Sequence, residues 1–157
     1  MNKNAPEALR WIVNILRKNK IHFRISGGLA VNAYGSKRNL ADIDIEIHDK
    51  DFEKILHFIK DYKYIGPNKY KDNEWDILGL AIDYKGQSVE FVGADSQKIF
   101  NKNTKKWEKL ESDLKKFNNK IIFRITVPIM PKEELIEYKS KIRRDVDLED
   151  VEFLTKN

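Results

Sequence analysis

The chain has 157 residues, of which 41% are apolar and 35% charged, with a formal net charge of +5 and no cysteine. That length predicts a single domain over residues 1–157, able to bury roughly 68–70% of its unfolded surface. No run approaches the roughly 18 consecutive apolar residues of a membrane span, and the lack of thiols excludes a disulfide framework or a thiolate metal site. Met1 to Arg10 carries no apolar signal core, so a cytoplasmic protein is expected. The basic excess suits polyanions such as nucleotides or RNA, but it is spread along the chain and reads first as a solvated lysine-rich surface.

Pro6 to Lys18 spaces Leu9, Ile12, Val13 and Leu16 as one face of a helix, with Trp11 and Ile15 widening the stripe. Phe23 to Ile25 reads as a short strand. Ser26-Gly27-Gly28 follows, and the glycines free the backbone just before a short helix, Leu29 to Tyr34. A strand, a glycine pair and a helix N-terminus together leave N–H groups free to face an anion, typically phosphate. Gly35 to Asn39 is a polar loop carrying Lys37 and Arg38.

A second strand then carries Asp42 and Asp44. Strand side chains alternate, so both carboxylates face one way while Ile43, Ile45 and Ile47 face the other. Hard oxygen ligands of this kind suit Mg²⁺ and its phosphates. Asp49 to Tyr62 is expected to be an amphipathic helix with Phe52, Ile55, Leu56 and Ile59 inward and His57 at the surface. Gly66-Pro67-Asn68 carries turn chemistry, and Lys69 to Asn73 reads as a polar link.

Trp75 to Tyr84 and Ser88 to Val92 are strand-like, joined through Lys85-Gly86-Gln87 as a hairpin. Glu90 alternates with Val89 and Phe91 and so faces away from the core. Asp83 sits on the neighbouring arm and could share its face. Ser96 to Asn119, rich in lysine, spaces Trp107, Leu110, Leu114 and Phe117 like one more helix; Ile121 to Val127 reads as a strand, and Pro128 to Pro131 as a break. Pro131 to Ile142 is helical, packing Leu135, Tyr138 and Ile142 inward with Lys139 and Arg143 on a flank.

The string from Gly27 to Gly35, then Arg38, then Asp42-Ile43-Asp44-Ile45, resembles the signature of the nucleotidyltransferase superfamily of DNA polymerase β. Within it, the pattern looks like the small antibiotic-modifying branch of lincosamide and aminoglycoside nucleotidyltransferases. At the C-terminal end Pro131, Leu135, Lys139, Arg143 and Asp147-Leu148-Glu149-Asp150-Val151 resemble the same branch, although Arg144-Asp145-Val146-Asp147 departs from its usual spacing and weakens a role for Arg144.

The resemblance implies an α/β (α+β) chain with the minimal nucleotidyltransferase fold: a small mixed, twisted sheet, helices mainly on one face and an open cleft. It implies transfer of a nucleoside monophosphate from an NTP, ATP in the first instance, to a hydroxyl acceptor with the help of two Mg²⁺ ions. Asp42 and Asp44 would be ligands, with a third carboxylate on the neighbouring strand: Glu90, with Asp83 as its rival. Ser26, Gly27 and Gly28 would cradle phosphates, and Arg38 and Lys139 would add positive charge. A small antibiotic-like acceptor is the first expectation. RNA or protein as acceptor, or a non-catalytic nucleotide- or RNA-binding protein of the same fold, are the alternatives, and a homodimer could complete the cleft.

Overall fold

A computed structural model describes residues 2–157. The elements run α1 (Ala5–Lys18), β1 (Phe23–Ser26), α2 (Gly27–Ala33), β2 (Asp42–Ile47), α3 (Phe52–Leu56), β3 (Lys63–Lys71), β4 (Trp75–Tyr84), β5 (Gln87–Gly93), β6 (Lys98–Asn101), β7 (Lys106–Lys109), β8 (Asn118–Ile122), β9 (Ile125–Ile129), α4 (Lys132–Ile142) and α5 (Asp145–Lys156). The strands form one mixed sheet in the order β7-β6-β4-β5-β2-β1-β9-β8, with β3 paired to β4. Asp76 of β4 pairs with Lys71 on one side and Lys98 on the other, while Ala81 pairs with Ile65 and Glu90. β5 and β6 therefore share one edge of β4 in tandem, and β3 takes the opposite edge. No described helix is long and apolar enough to cross a membrane.

Alternation gives the sheet two chemically distinct faces. Ile43 pairs with Val89 and Ile45 with Phe91, and these pair onward with Ile82 and Leu80. All are buried, and α1 contributes Leu9, Ile12, Val13 and Leu16 to the same core. Each such side chain stabilises the fold by about 1.5–3 kcal/mol. Trp11 of α1 lies 4.7 Å from the Tyr84 ring and 4.6 Å from Tyr62, closing that layer.

The opposite face carries Asp42, Asp44 and Glu46, and α4 lies against it. Its anchor is Arg24, fully buried on β1 and paired across to Glu46. The guanidinium donates to Glu46 Oε1 (2.7 Å), Glu134 Oε2 on α4 (2.6 Å), Ser112 Oγ (3.0 Å) and the Lys116 carbonyl (2.9 Å). Glu46 Oε2 accepts from Gln97 and Ser112, each at 2.7 Å. A buried charge is tolerable only when paired and hydrogen-bonded in this way.

Local structure departs from the sequence expectations at four places. The helix expected over Asp49–Tyr62 is cut to α3, preceded by a 3₁₀ turn over Asp49–Asp51 and followed by i→i+3 turns at Phe58 and Ile59. Its first turn is held elsewhere: Asp49 Oδ2 accepts the Ser96 hydroxyl at 2.6 Å. The turn at Gly66-Pro67-Asn68 and the link after it are instead part of β3. Gly66 is left-handed (φ +102°), the Gly66–Pro67 bond is cis, and the register shifts between Ile65 and Asn68, so the pair is absorbed as a bulge. Proline is admissible there because β3 pairs only with β4 and needs no donor on its outer side.

The helix expected across Ser96–Asn119 is absent. β6 and β7 form a hairpin in which Phe100 faces Trp107, their rings 5.6 Å apart, and this cross-strand contact overrides the helical spacing. The strand expected over Ile121–Val127 is broken at Phe123 and Arg124, both left-handed, which make a hairpin turn between β8 and β9. β9 then runs through Pro128 to Ile129 rather than stopping before it.

Arg24→Ala is expected to destabilise the protein by about 3–5 kcal/mol, because it strands Glu46 as a buried, unpaired charge. Urea unfolding measures this directly; a loss below about 1 kcal/mol, typical of an exposed pair, would show that the Arg24 hub contributes little.

Candidate functional site

The site begins with strand register. β2 and β5 are parallel neighbours, with Asp42 beside Ser88 and Asp44 beside Glu90. On the other side of β2, Asp44 pairs with Ser26. Ser26, Asp44, Glu90 and Ala81 thus form one row across four strands, all on the cleft face. Among the described residues, the hydrogen bond to this group of carboxylates is from Ser88 Oγ to Glu90 Oε1, at 3.3 Å. Asp83 lies on the same face in the Asp42 row, but its Oδ1 accepts the Gly86 N–H at 2.6 Å and it remains exposed at the hairpin. Glu90 lines the cleft and Asp83 does not.

The glycine pair closes over these carboxylates. Gly27 has φ +60°, and a Cβ there would collide with the Asp44 carboxylate. At Gly28 a Cβ would come within 2.6 Å of Leu40 Cδ2 and 2.8 Å of Arg38 Nη2. Gly27 needs glycine for conformation and space, whereas at Gly28 a side chain would have to displace the ends of Leu40 and Arg38. Ser26 precedes α2 without using its side chain as a cap, and the first N–H groups of the helix have no partner within it.

Crowding marks these groups electrostatically. Burial, then Glu90 and Asp42, push the Asp44 carboxyl up to about 7. Burial and Asp42 also raise Glu90. Lys139 and Arg144, which line the same cleft, pull Asp44 in the opposite direction. Among the described residues no three acidic or imidazole side chains are drawn into a preformed metal cage. The donor set nevertheless fits a hard divalent cation: carboxylate oxygens, crowded and mutually repelling, with no ion pair between them.

The opposite wall is an alternating chain of charges. Arg38 grips Asp150 through two bonds of 2.7 and 2.8 Å. Lys139 Nζ sits 3.0 Å from Asp150 and 3.2 Å from Asp147, and Arg144 holds Asp147 at 2.8 and 3.1 Å. Lys139 is buried, so its ammonium is held by two aspartates of α5 rather than left free. The spacing around Arg144 weakens the case for a role in the sequence, yet Arg144 lines the cleft with its side chain 42% exposed. The signal available in the sequence was Asp147 three residues on, which folds back to cap Arg144 at the start of α5.

These residues surround a cleft of about 720 Å³, running from Ser26, Gly27, Gly28 and Arg38 across Asp42, Asp44 and Glu90 to β3 and β4. No family model and no curated protein sequence matches the chain. Solved structures do. A Thermotoga maritima protein assigned as a nucleotidyltransferase is 20% identical with a TM-score of 0.66, covering 97% of this chain and 92% of that one. The fold is that of the nucleotidyltransferases. The lincosamide antibiotic adenylyltransferase LnuA, bound to lincomycin, is 15% identical at TM-score 0.63, covering 95% of each chain. ANT(2")-Ia in complex with adenylyl-2"-tobramycin is 11% identical at TM-score 0.67, covering 98% of this chain and 89% of that one. In each case the likeness of fold covers at least 95% of this chain.

Asp147 and Asp150 are held below the usual carboxylate range: burial opposes their charge, but Arg144, Arg38 and Lys139 outweigh it. A depressed folded-state pKa contributes stability that is present above the unfolded value of 3.8 and lost as pH falls through the folded value. Asp150→Asn should therefore unfold more readily at pH 7, by about 3 kcal/mol. It should also show a flatter loss of stability on acidification below pH 4 than the wild type. Equal acid slopes in a pH series of denaturant melts would contradict this.

Proposed function

We propose that the protein is an enzyme that transfers a nucleoside monophosphate, from ATP in the first instance, to a hydroxyl group of a small acceptor. The observation that carries this reading is the row Ser26–Asp44–Glu90, with Asp42 on the same face and a glycine turn packed against Asp44. Such a row faces a triphosphate with N–H donors on one side and metal-type ligands on the other. The antibiotic adenylyltransferases that share the fold make a small hydroxyl acceptor the natural partner.

Asp42, Asp44 and Glu90 would hold Mg²⁺, whose contribution when bound is to neutralise the triphosphate and polarise the α-phosphate. The N–H groups of Gly27 and Gly28 and the Ser26 hydroxyl take the β- and γ-phosphates. The acceptor oxygen bonds to the α-phosphorus in line with the breaking P–O bond, pyrophosphate leaves, and the hydroxyl proton passes to Glu90, whose raised pKa suits a base. Arg144, the cation of the network with an exposed side chain, faces the departing charge. Lys139 acts at one remove, by fixing α5 through Asp147 and Asp150.

Asp42→Ala and Asp44→Ala should each lower transfer by on the order of 10²–10³ or more, with thermal melts showing a folded protein. The assay is pyrophosphate release from labelled NTPs with Mg²⁺ and a panel of hydroxyl acceptors. Activity surviving in either variant, or loss explained by unfolding, would remove the basis for this assignment.

Gly27→Val should be as inactive as the aspartate variants, since its side chain would occupy the space of the Asp44 carboxylate. A near-normal rate in the same assay would show that the turn does not need to approach Asp44.

A further inference from the structure

The lysine-rich middle of the chain takes no part in the cleft. From Lys98 to Lys109 the sequence holds five lysines against one glutamate, a surplus of four in a chain whose net charge is +5. This stretch folds as the β6–β7 hairpin, and its two sides differ. Ile99 and Asn101 are buried on the side of α4, where the Lys102 N–H donates to the Lys141 carbonyl at 2.9 Å. Glu108 is used on that same side, accepting from Lys141 at 2.6 Å and Asn101 at 3.2 Å.

Lys98, Phe100, Trp107 and Lys109 face the other way. Strand register extends this face across the sheet. Lys109 pairs with Lys98, Lys98 with Asp76, and Asp76 with Lys71, one row over four strands. It is the reverse of the cleft side, which β4 lines with Trp75 and Ile77. Phe100 beside Trp107 makes the next row, offset by two residues or roughly 7 Å. Three lysines and one carboxylate thus run alongside two aromatic rings.

The three lysines and Trp107 are exposed, and the Lys71 ammonium lies 4.8 Å from the centre of the Trp107 ring. Neighbouring acids are engaged elsewhere or loosely held. Asp72 accepts from Tyr70 and from the Glu74 and Trp75 N–H groups. Asp49 and Asp95, on the loops after β2 and β5, are tied to Ser96 and His48. Glu111 approaches Lys109 only at 3.9 Å and is 86% exposed. Lysines alone would make a solvated face. Rings on a sheet surface flanked by lysines instead suit unpaired bases and their phosphates.

We infer that this reverse face binds single-stranded nucleic acid. Its phosphates follow Lys71, Lys98 and Lys109, and a base stacks on Trp107 in place of the Lys71 ammonium. The site is separate from the transferase reading, since it needs neither the carboxylates of the cleft nor Mg²⁺.

Fluorescence anisotropy of a labelled short oligouridine, titrated with the full chain, tests this. Affinity should fall as salt rises from about 50 to 200 mM, and Lys98→Ala and Lys109→Ala should each flatten the log–log slope by about 0.7. Trp107→Ala should weaken binding by roughly tenfold, with Trp107→Phe recovering most of the loss and thermal melts showing both variants folded. Absence of binding at low salt would overturn the proposal, as would binding that neither Trp107→Phe nor Lys98→Ala distinguishes from Trp107→Ala. Polyglutamate competing as well as the RNA would overturn it in favour of an acidic polypeptide. Displacement of the oligomer by ATP would overturn it too, by placing the RNA in the cleft.

Discussion

The parallel pairing of β2 with β5 is the constraint from which the site follows. It sets Asp44 beside Glu90 and Asp42 beside Ser88, concentrating negative charge on one face of two central strands. Burial first, and then the neighbouring carboxylates, raise Asp44 and Glu90, so ionising them here costs free energy. The cost is offset on the reverse face of the same strands, where Ile43, Ile45, Val89 and Phe91 are buried against α1. A slip of one residue would turn the isoleucines to water and the carboxylates into the core. The apolar face therefore fixes the register, and the register fixes the carboxylates.

The cations are organised by a different rule. Arg38, Lys139 and Arg144 come from a loop, α4 and the start of α5, and are joined through Asp150 and Asp147. Buried ion pairs contribute little net stability relative to apolar packing, but breaking one leaves an unpaired charge behind. The network thus works as a positional device: it locks α5 to α4 and to the loop, and it holds positive charge within reach of Asp44 without neutralising it. Arg24 does the same beneath the cleft, tying β1, β2 and α4 through Glu46 and Glu134.

The parts legible in the sequence were those governed by short-range rules. Period-two alternation placed Asp42 and Asp44 on one face and the isoleucines on the other, the glycine pair marked a freed backbone ahead of a helix, and the family resemblance set the strand of Glu90 beside theirs. The choice between Glu90 and Asp83 was beyond it, because both share a face; what separates them is that Asp83 is occupied by the Gly86 N–H. The middle third misled for a physical reason. Trp107, Leu110, Leu114 and Phe117 have helical spacing, but their neighbours pair across a hairpin, and pairing of distant residues is not written in local periodicity. Arg144 was hidden similarly, since its place depends on how α4 ends at a left-handed Arg143 and sends α5 back across the cleft.

The two halves of the cleft also differ in how tightly the fold holds them. The carboxylates sit on β2 and β5, each paired on both sides, where a change in backbone would disturb several registers at once. Ile65 and Tyr70 sit on β3, which pairs only with β4 and already accommodates a bulge at Gly66-Pro67. An edge strand can change its curvature or side chains without moving Asp44 or Glu90. The crowded carboxylates are thus built into the centre of the sheet, and the exposed side chains of Ile65 and Tyr70 lie at its margin.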